Sequence, residues 1–531
     1  MPGLAVRLTK VLLLAGLALA VTATSGSAAS ATKAPLLGVV PHTSQQAPGV
    51  RALAEHAAVS RPGFLTFDSS YETTIDRYFA DVAHDSGGSS NVYSAATQYS
   101  DGSGSVQYQS AFGGSFVDHD PLPANGCSDG KDSACVSKTQ LQAEIQRVLT
   151  LQGWHGSSSN LFFVMTPDGV GSCVGSNTQC STNYFCAYHD DFTDSSGEQV
   201  LFANEPYQAA IAGCESGSAP NGGDADTTIN TISHEHNEAI TDPLGNAWWS
   251  NDGSEDENGD LCAWTFGATL GGNTLAPYNQ VINGHHYWLQ QEWSNADNGC
   301  VQHLGGPATA AQGGSGPLVD HGGPVMHTNT TYAIYWLPRP GNRTLPTVSG
   351  TAAAGRTLTS SKGAWNGSPT GYAYQWQRCS AKGSACVDIS GATDAQYKLT
   401  RADASKYVRS TVRAENVNGS SAFAASGGEL VTLTPHAATA PRIAGVARIG
   451  RRLTASKGSW SGPPSKFSFQ WLRCNAAGGS CVAIGGATHS AYKLTTRDAS
   501  HRLRVRVTAA NAAGRMTATS RATSRVSAAK H

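Results

Sequence analysis

Residues 226–243 read DTTINTISHEHNEAITDP, and the organisation of the N-terminal part of the chain turns on this run. Asp226 has a side chain suited to an N-cap. Ile229 and Ile232 share one face at helical spacing, and Pro243 cannot continue a helix, so the run reads as one capped helix. His234 and Glu238 are four apart and stack one above the other on its surface, with Glu235 beside them. An imidazole and a carboxylate so placed supply two ligands for a divalent metal, and the adjacent glutamate is positioned to take a proton from water in metal-assisted hydrolysis.

The arrangement is the zincin motif H-E-x-x-H with the second His replaced by Glu, and a carboxylate is a legitimate zinc ligand. A third ligand is needed. Asp242 continues the same face at the helix end. The acidic loop 252–260, DGSEDENGD, follows Trp248-Trp249 and offers Glu257 or Asp260. That density of acids also suits Ca²⁺, which prefers oxygen ligands, although no EF-hand spacing is present. His189, His285 and His286 are further imidazoles without a local motif. The expectation is Zn²⁺ held by His234 and Glu238 with a third ligand from Asp242, Glu257 or Asp260, Glu235 as general base and Ca²⁺ as the alternative ion in the 252–260 loop.

Around this helix the pattern is mixed. Ile75, Phe79 and Val82 give residues 73–83 a helical face, and Ile145, Val148 and Leu149 do the same for 141–151. Residues 160–166, NLFFVMT, form a short apolar run closed by Pro167-Asp168-Gly169, suited to a buried central strand; 200–203 reads as a second strand. Helices alternating with strands predict an N-terminal α/β, zincin-like domain over 61–302.

The C-terminal third repeats itself. YQWQRC at 374–379 recurs as FQWLRC at 469–474, ISGAT at 389–393 as IGGAT at 484–488, and Tyr397, Asp403 and Asn416 as Tyr492, Asp498 and Asn511. One constant offset relates all of these, so they are two copies of one module. Period-two alternation at Tyr372, Tyr374 and Trp376, and at Leu503, Val505 and Val507, predicts two all-β sandwiches over 344–434 and 441–527. The modules resemble the tandem bacterial Ig-like repeats of secreted proteins, which implies a spacer or adhesion role. The whole is then multidomain: one α/β domain and two Ig-like sandwiches.

Composition bounds the compartment. Arg7 and Lys10 precede an apolar run from Val11 to Val21, and Ala29-Ser30-Ala31 makes an A-x-A site, which predicts a signal peptide over 1–31. A Pro-, Ala- and Ser-rich leader over 32–60 and a Gly- and Ala-rich linker over 303–318 follow from composition. The 12 cysteines are even in number and are expected as disulfides. No later apolar stretch is long enough to span a membrane, and the reading is a secreted, extracellular protein. Residues 441–531 carry 16 Lys and Arg against Asp498 alone. Such a basic module suits an anionic polymer or serves as a soluble spacer. No nucleotide-binding loop and no G-x-S-x-G nucleophile elbow are present.

Asp226, His234-Glu235-x-x-Glu238, Asp242-Pro243-Leu244-x-Asn246-Ala247-Trp248-Trp249 and Glu257-x-x-Asp260-Leu261-Cys262 together resemble the exordium-like, phosphate-induced extracellular proteins over about residues 62–302. The resemblance implies a wall-associated protein, similar to a zinc peptidase, in which Asp260 is the better third ligand. In that family an HGGPV strand precedes the domain. Here His321-Gly322-Gly323-Pro324-Val325 and the apolar run 332–336 come after it, so 319–340 is expected as a permuted strand returning to the sheet. Two functions follow: a secreted metal-dependent hydrolase of the zinc-peptidase type, acting on extracellular protein or wall polymer, or a non-catalytic wall-binding protein with a structural or vestigial metal site.

Overall fold

The computed structural model describes residues 39–41 and 65–528, apart from 125, 176–178, 253–255 and 312–315. The expected signal peptide and, but for 39–41, the expected leader lie outside the described residues.

Six strands make the principal sheet: β1 (Val39–Pro41), β2 (Ser110–Asp118), β3 (Asn160–Met165), β4 (Phe185–Thr193), β5 (Gln199–Glu205) and β6 (Asn329–Trp336), in the order β1–β4–β5–β3–β6–β2. β5, β3, β6 and β2 run parallel, while β4 is antiparallel to both β5 and β1. β6 lies between β3 and β2, with Thr330–Tyr335 registered against Asn160–Met165. The strand at 329–336 is thus an interior strand although it is the last of the six in the chain.

The interior strands are apolar on both faces because both faces are covered. Leu161, Phe163, Met165, Ala333 and Tyr335 join one core with Ile75, Phe79 and Val82 of α1 (Tyr71–His84) and Ile229 and Ile232 of α3 (Ala225–Thr241). Phe162, Val164, Ile334 and Trp336 face the other way, onto Leu141, Ile145 and Val148 of α2 (Lys138–Gln152). Each large side chain so buried contributes about 1.5–3 kcal/mol. A capping box starts α2: the Ser137 side chain accepts from Gln140 N, and the Gln140 side chain accepts from Ser137 N. Gly153, at φ 67°, ends it in the left-handed conformation.

Two details differ from the sequence reading. α3 starts one residue before Asp226, with Asp224 at the cap position. Asp226 instead accepts from the backbone N and side chain of Asn221 at 3.0 and 2.6 Å, bracing the loop that enters the helix. The stretch 303–318 is not a free tether where it is described. Thr309 and Cys300 exchange backbone hydrogen bonds of 2.8 and 2.9 Å, and Leu318–Asp320 pairs antiparallel with Trp248–Ser250. The chain must cross the domain here to bring β6 back into the sheet, and it satisfies its backbone groups on the way.

The repeated modules are two-sheet β-sandwiches. In the first, the strands Val348–Gly350, Thr357–Ser360 and Gln396–Lys398 form one sheet, and Gly371–Ala381 and Tyr407–Asn416 pair antiparallel in the other. Leu358, Trp376, Leu399, Val408 and Val431 fill the space between them. The second module repeats this with Leu453, Trp471, Leu494, Leu503 and Val505. Trp376 and Trp471 are fully buried. In each, one buried Asp ties three elements together: Asp403 accepts from Arg378, Tyr397 and Thr400, and Asp498 from Arg473, Tyr492 and Thr495.

The cysteines form six disulfides, Cys127–Cys135, Cys173–Cys180, Cys186–Cys214, Cys262–Cys300, Cys379–Cys386 and Cys474–Cys481, with none free. Full pairing suits an oxidising, extracellular-type compartment. Among the described residues no helix is long and apolar enough to cross a membrane.

Candidate metal centre

α3 is wrapped on nearly every side. Its inner face meets the sheet, and residues 257–293 close over the other. Gln290 N donates to Asn230 Oδ1 at 2.8 Å and Trp293 N to Asn258 O at 2.9 Å, which sews this cover down. His234, Glu235 and Glu238 are 0% exposed.

His234 Nε2 lies 2.9 Å from Glu238 Oε1 and 3.6 Å from Asp260 Oδ1. The first distance would allow a hydrogen bond, yet among the described residues Nε2 makes none of good geometry. Gln290 Nε2 donates to His234 Nδ1 at 2.6 Å and to Gly259 O at 3.1 Å, fixing the ring. Asp260 N donates to Glu238 Oε1 at 2.9 Å, so the 3₁₀ turn Asp260–Cys262 is anchored on the helix carboxylate. The disulfide Cys262–Cys300 holds that turn to the strand Gly299–Val301. Gly259 approaches so closely that a Cβ there would lie 2.9 Å from Glu238 Oε1 and 3.0 Å from the His234 ring. His234, Glu238 and Asp260 present ligand atoms within 4.8 Å of one another.

Glu235, on the same turn, points elsewhere. Its Oε2 lies 3.1 Å from Nδ1 of His189 on β4. His189 also faces Glu238 Oε2 at 3.7 Å and Glu257 Oε2 at 3.8 Å. No hydrogen bond from the described residues reaches Glu238 Oε2. Glu292, on the strand Glu292–Ser294, is fully buried, and among the described residues neither of its oxygens has a hydrogen bond.

The electrostatics follow from this burial. Burial raises the Glu238 carboxyl to about 8, Asp260 adds to the rise, and His234 offsets part of it. Glu205 and Glu292 are pushed well above the carboxylate range, first by burial and then by their acidic neighbours. For His234 burial opposes charge, but Glu238 and Asp260 outweigh it and hold the imidazole well above its ordinary value. His236, one position along the helix from Glu235, is lowered to about 4 by burial; its ring bridges Tyr93 and Asn329 as a neutral core group. Buried carboxylates crowded in this way are costly unless cations or protons compensate.

Of the residues picked out in the sequence, His234, Glu238 and Asp260 come together, with Glu257 on the far side of Glu238. Asp242 stands apart: its Oδ1 accepts from Asn246 N and Ala247 N at 2.7 and 2.8 Å and shapes the turn after the helix, and it joins neither group of potential ligands. The acidic loop proposed for Ca²⁺ includes 253–255, outside the described residues; its described end sends Glu257 and Asp260 inward. His285 bonds Asp81 and His286 stacks on Tyr278, both away from the helix. His189, named in the sequence as an imidazole without a motif, is brought into the site, and Glu205, Gln290 and Glu292 were not singled out. The HGGPV segment packs beside the same region: His321 stacks on Trp249 at 3.5 Å, and Gly323 N donates to Asn246 O at 2.8 Å.

No family model and no curated protein matches the chain. Solved structures similar to parts of it are chains of Ig domains. The titin I-band fragment I67–I69 is 15% identical with a TM-score of 0.21, over 34% of this chain and 64% of that one. Titin domains A168–A170 are 16% identical with a TM-score of 0.21, over 41% and 72%. The N-terminal four Ig domains of Dscam1 isoform 1.9 are 12% identical with a TM-score of 0.18, over 40% and 51%. The chain thus spans under two thirds of the titin I67–I69 fragment. The Ig-like character of the two modules rests on their own strand pairing and cores.

Proposed function

We propose that the N-terminal domain is an extracellular metal-dependent hydrolase of the zinc-peptidase type, with His234, Glu238 and Asp260 holding the metal. One observation carries this reading: two fully buried side chains and a third, less buried one bring ligand atoms within 4.8 Å of one another, with His234 Nε2 at 2.9 Å from Glu238 Oε1 and yet, among the described residues, without a hydrogen bond of good geometry. One imidazole and two carboxylates form a donor set that accepts Zn²⁺. A metal there supplies Lewis acidity and lowers the pKa of water. The residues do the rest. Gln290 orients the imidazole; with a cation on Nε2 the ring proton sits on Nδ1, which asks the Gln290 amide to turn its oxygen to the ring. Gly259 leaves room for the ligand carboxylates, and Asp260, 16% exposed, is the least buried member of the set. Glu235 is the general base of this reading; His189, 3.1 Å away, positions its carboxylate.

The kinship with exordium-like proteins belongs to the same proposal, as does the permuted placement of β6. The run from His234 to Cys262 supports the kinship, and so does the packing of the HGGPV segment against Asn246 and Trp249. The two Ig-like modules serve as a spacer, the second offering its basic surface to an anionic wall polymer.

A specific observation favours a second reading, a non-catalytic wall protein with a structural metal. Glu235 is fully buried and engaged by His189, and closed sites are typical of structural metals. Elemental analysis of the secreted protein beside His234→Ala tests the metal. A peptidase assay with Glu235→Gln as control separates the two readings. Metal lost in His234→Ala together with activity lost in Glu235→Gln establishes the hydrolase, metal without activity establishes the structural role, and a metal-free, chelator-insensitive wild type overturns both.

A further inference from the structure

Glu238 presents its two oxygens to two different imidazoles. Oε1 faces His234 at 2.9 Å, and Oε2 faces His189 Nδ1 at 3.7 Å. A second set of ligand atoms, on His189, Glu238 and Glu257, closes to within 4.8 Å, as the first set does, and all three residues are buried. We infer that the centre holds two divalent cations bridged by the Glu238 carboxylate, the second held by His189, Glu238 and Glu257. This rests on the metal-centre reading above and adds a site to it.

Three observations carry the inference. Glu238 Oε2 is fully buried, aims into the second set and takes no hydrogen bond from the described residues. A carboxylate that bound a cation through Oε1 alone would leave this oxygen desolvated at a cost the fold does nothing to repay. Next, charge: the carboxylates of Glu235, Glu238, Glu257 and Asp260 all lie within 4 Å of the His189 and His234 rings. One divalent ion balances two of these four carboxylates, and two ions balance all four. Finally, the two sides of the bridge are alike: each set pairs one imidazole with one loop carboxylate across the shared helix carboxylate. Cations on the two oxygens of one carboxylate sit about 3.5–4 Å apart, the spacing of two-metal hydrolytic centres. Imidazole with carboxylates accepts Zn²⁺ and Mn²⁺ alike, so Mn²⁺ is a fitting paramagnetic probe.

The test uses the full secreted chain, stripped with chelator and reloaded with Mn²⁺, read by elemental analysis and electron paramagnetic resonance. Wild type is expected to hold two Mn²⁺ per chain with an exchange-coupled signal. His189→Ala is expected to retain one Mn²⁺ with an isolated-ion signal, and so is Glu257→Gln, which decides the matter if His189→Ala fails to fold. His234→Ala is expected to lose the coupling as well. One Mn²⁺ per chain in wild type, lost in His234→Ala and kept in His189→Ala and Glu257→Gln, overturns the second site and leaves the first standing. Two uncoupled ions, both indifferent to His189→Ala, likewise overturn the bridge. A wild type that binds none overturns the underlying reading too.

Discussion

Replacing Gly259 by Ala tests the closeness of the loop to the metal ligands without touching a ligand. Gly259 has φ −75° and ψ −41°, which any residue adopts, so the backbone does not object. In open space such a change stabilises a protein by about 0.4–1 kcal/mol, because the unfolded chain loses freedom. Here the added methyl would sit 2.9 Å from Glu238 Oε1 and 3.0 Å from His234 Cε1 and Cγ, where comfortable contacts need about 3.5–4.0 Å. The turn must retreat by about half an ångström, at an overpacking cost of about 1–3 kcal/mol. Asp260 retreats with it, stretching its N–H bond to Glu238 and withdrawing its carboxylate from the other two ligands. The metal-free protein is therefore destabilised by about 1–2 kcal/mol, read by urea unfolding in chelator. Zn²⁺ affinity falls about tenfold or more, since each 1.4 kcal/mol is a factor of ten, read by competition with a chromophoric chelator. A variant that is more stable than wild type and binds Zn²⁺ equally well would show that the loop does not press on the site, and the geometric argument would be lost.

Three further outcomes follow from the modules and the cross-links. Asp403→Ala leaves Arg378, Tyr397 and Thr400 without their common acceptor and is expected to cost the first module about 3–5 kcal/mol, splitting off a low-temperature transition in calorimetry; Asp498→Ala does the same in the second module, and unchanged melting in either would refute the tie. Burial opposes the charge of Asp403 and Asp498, but the backbone N–H of Thr400 or Thr495 and the guanidinium of Arg378 or Arg473 outweigh it, so both carboxyls sit below the ordinary 3.8. A lowered folded value contributes stability that is present above 3.8 and lost as pH falls through the folded value, so the modules are expected to weaken in strong acid, and the Ala variants to show a flatter acid limb. Cys262→Ser with Cys300→Ser opens a loop of 38 residues and should cost about 4 kcal/mol, against about 2 kcal/mol for the seven-residue loop of Cys379–Cys386; equal melting shifts for the two pairs would refute the loop-length argument.

The parts of this molecule that local pattern governs were legible before any coordinates. The repeat at 374–379 and 469–474 places Trp376 and Trp471 at period two with their strand neighbours, and both become the centre of a sandwich core. Ile75, Phe79 and Val82 mark one face of α1, and the apolar run at 160–165 becomes an interior strand because helices cover both its faces. Capping was less legible. Asp226 has the right side chain for an N-cap, but the loop at Asn221 competes for it and wins, its backbone N and side chain both donating to the carboxylate.

The candidate site divides along the same line. His234, Glu235 and Glu238 share one helix, so their spacing alone places them. Asp260 needed only a short loop to reach back. His189 and Glu292 come from a β-strand before the helix and a short strand after it, and no spacing rule joins positions so far apart in the chain; only the sheet, which sets β4 beneath α3, and the cover from 257 to 293 bring them in. A motif centred on a helix therefore shows the half of the site that the helix carries. The rest is marked by desolvation: among the described residues Glu238 Oε2 and both oxygens of Glu292 are buried without hydrogen bonds, and each such group calls for an explanation. Glu238, expected from the sequence to be one ligand of one metal, is in our proposal the carboxylate between two.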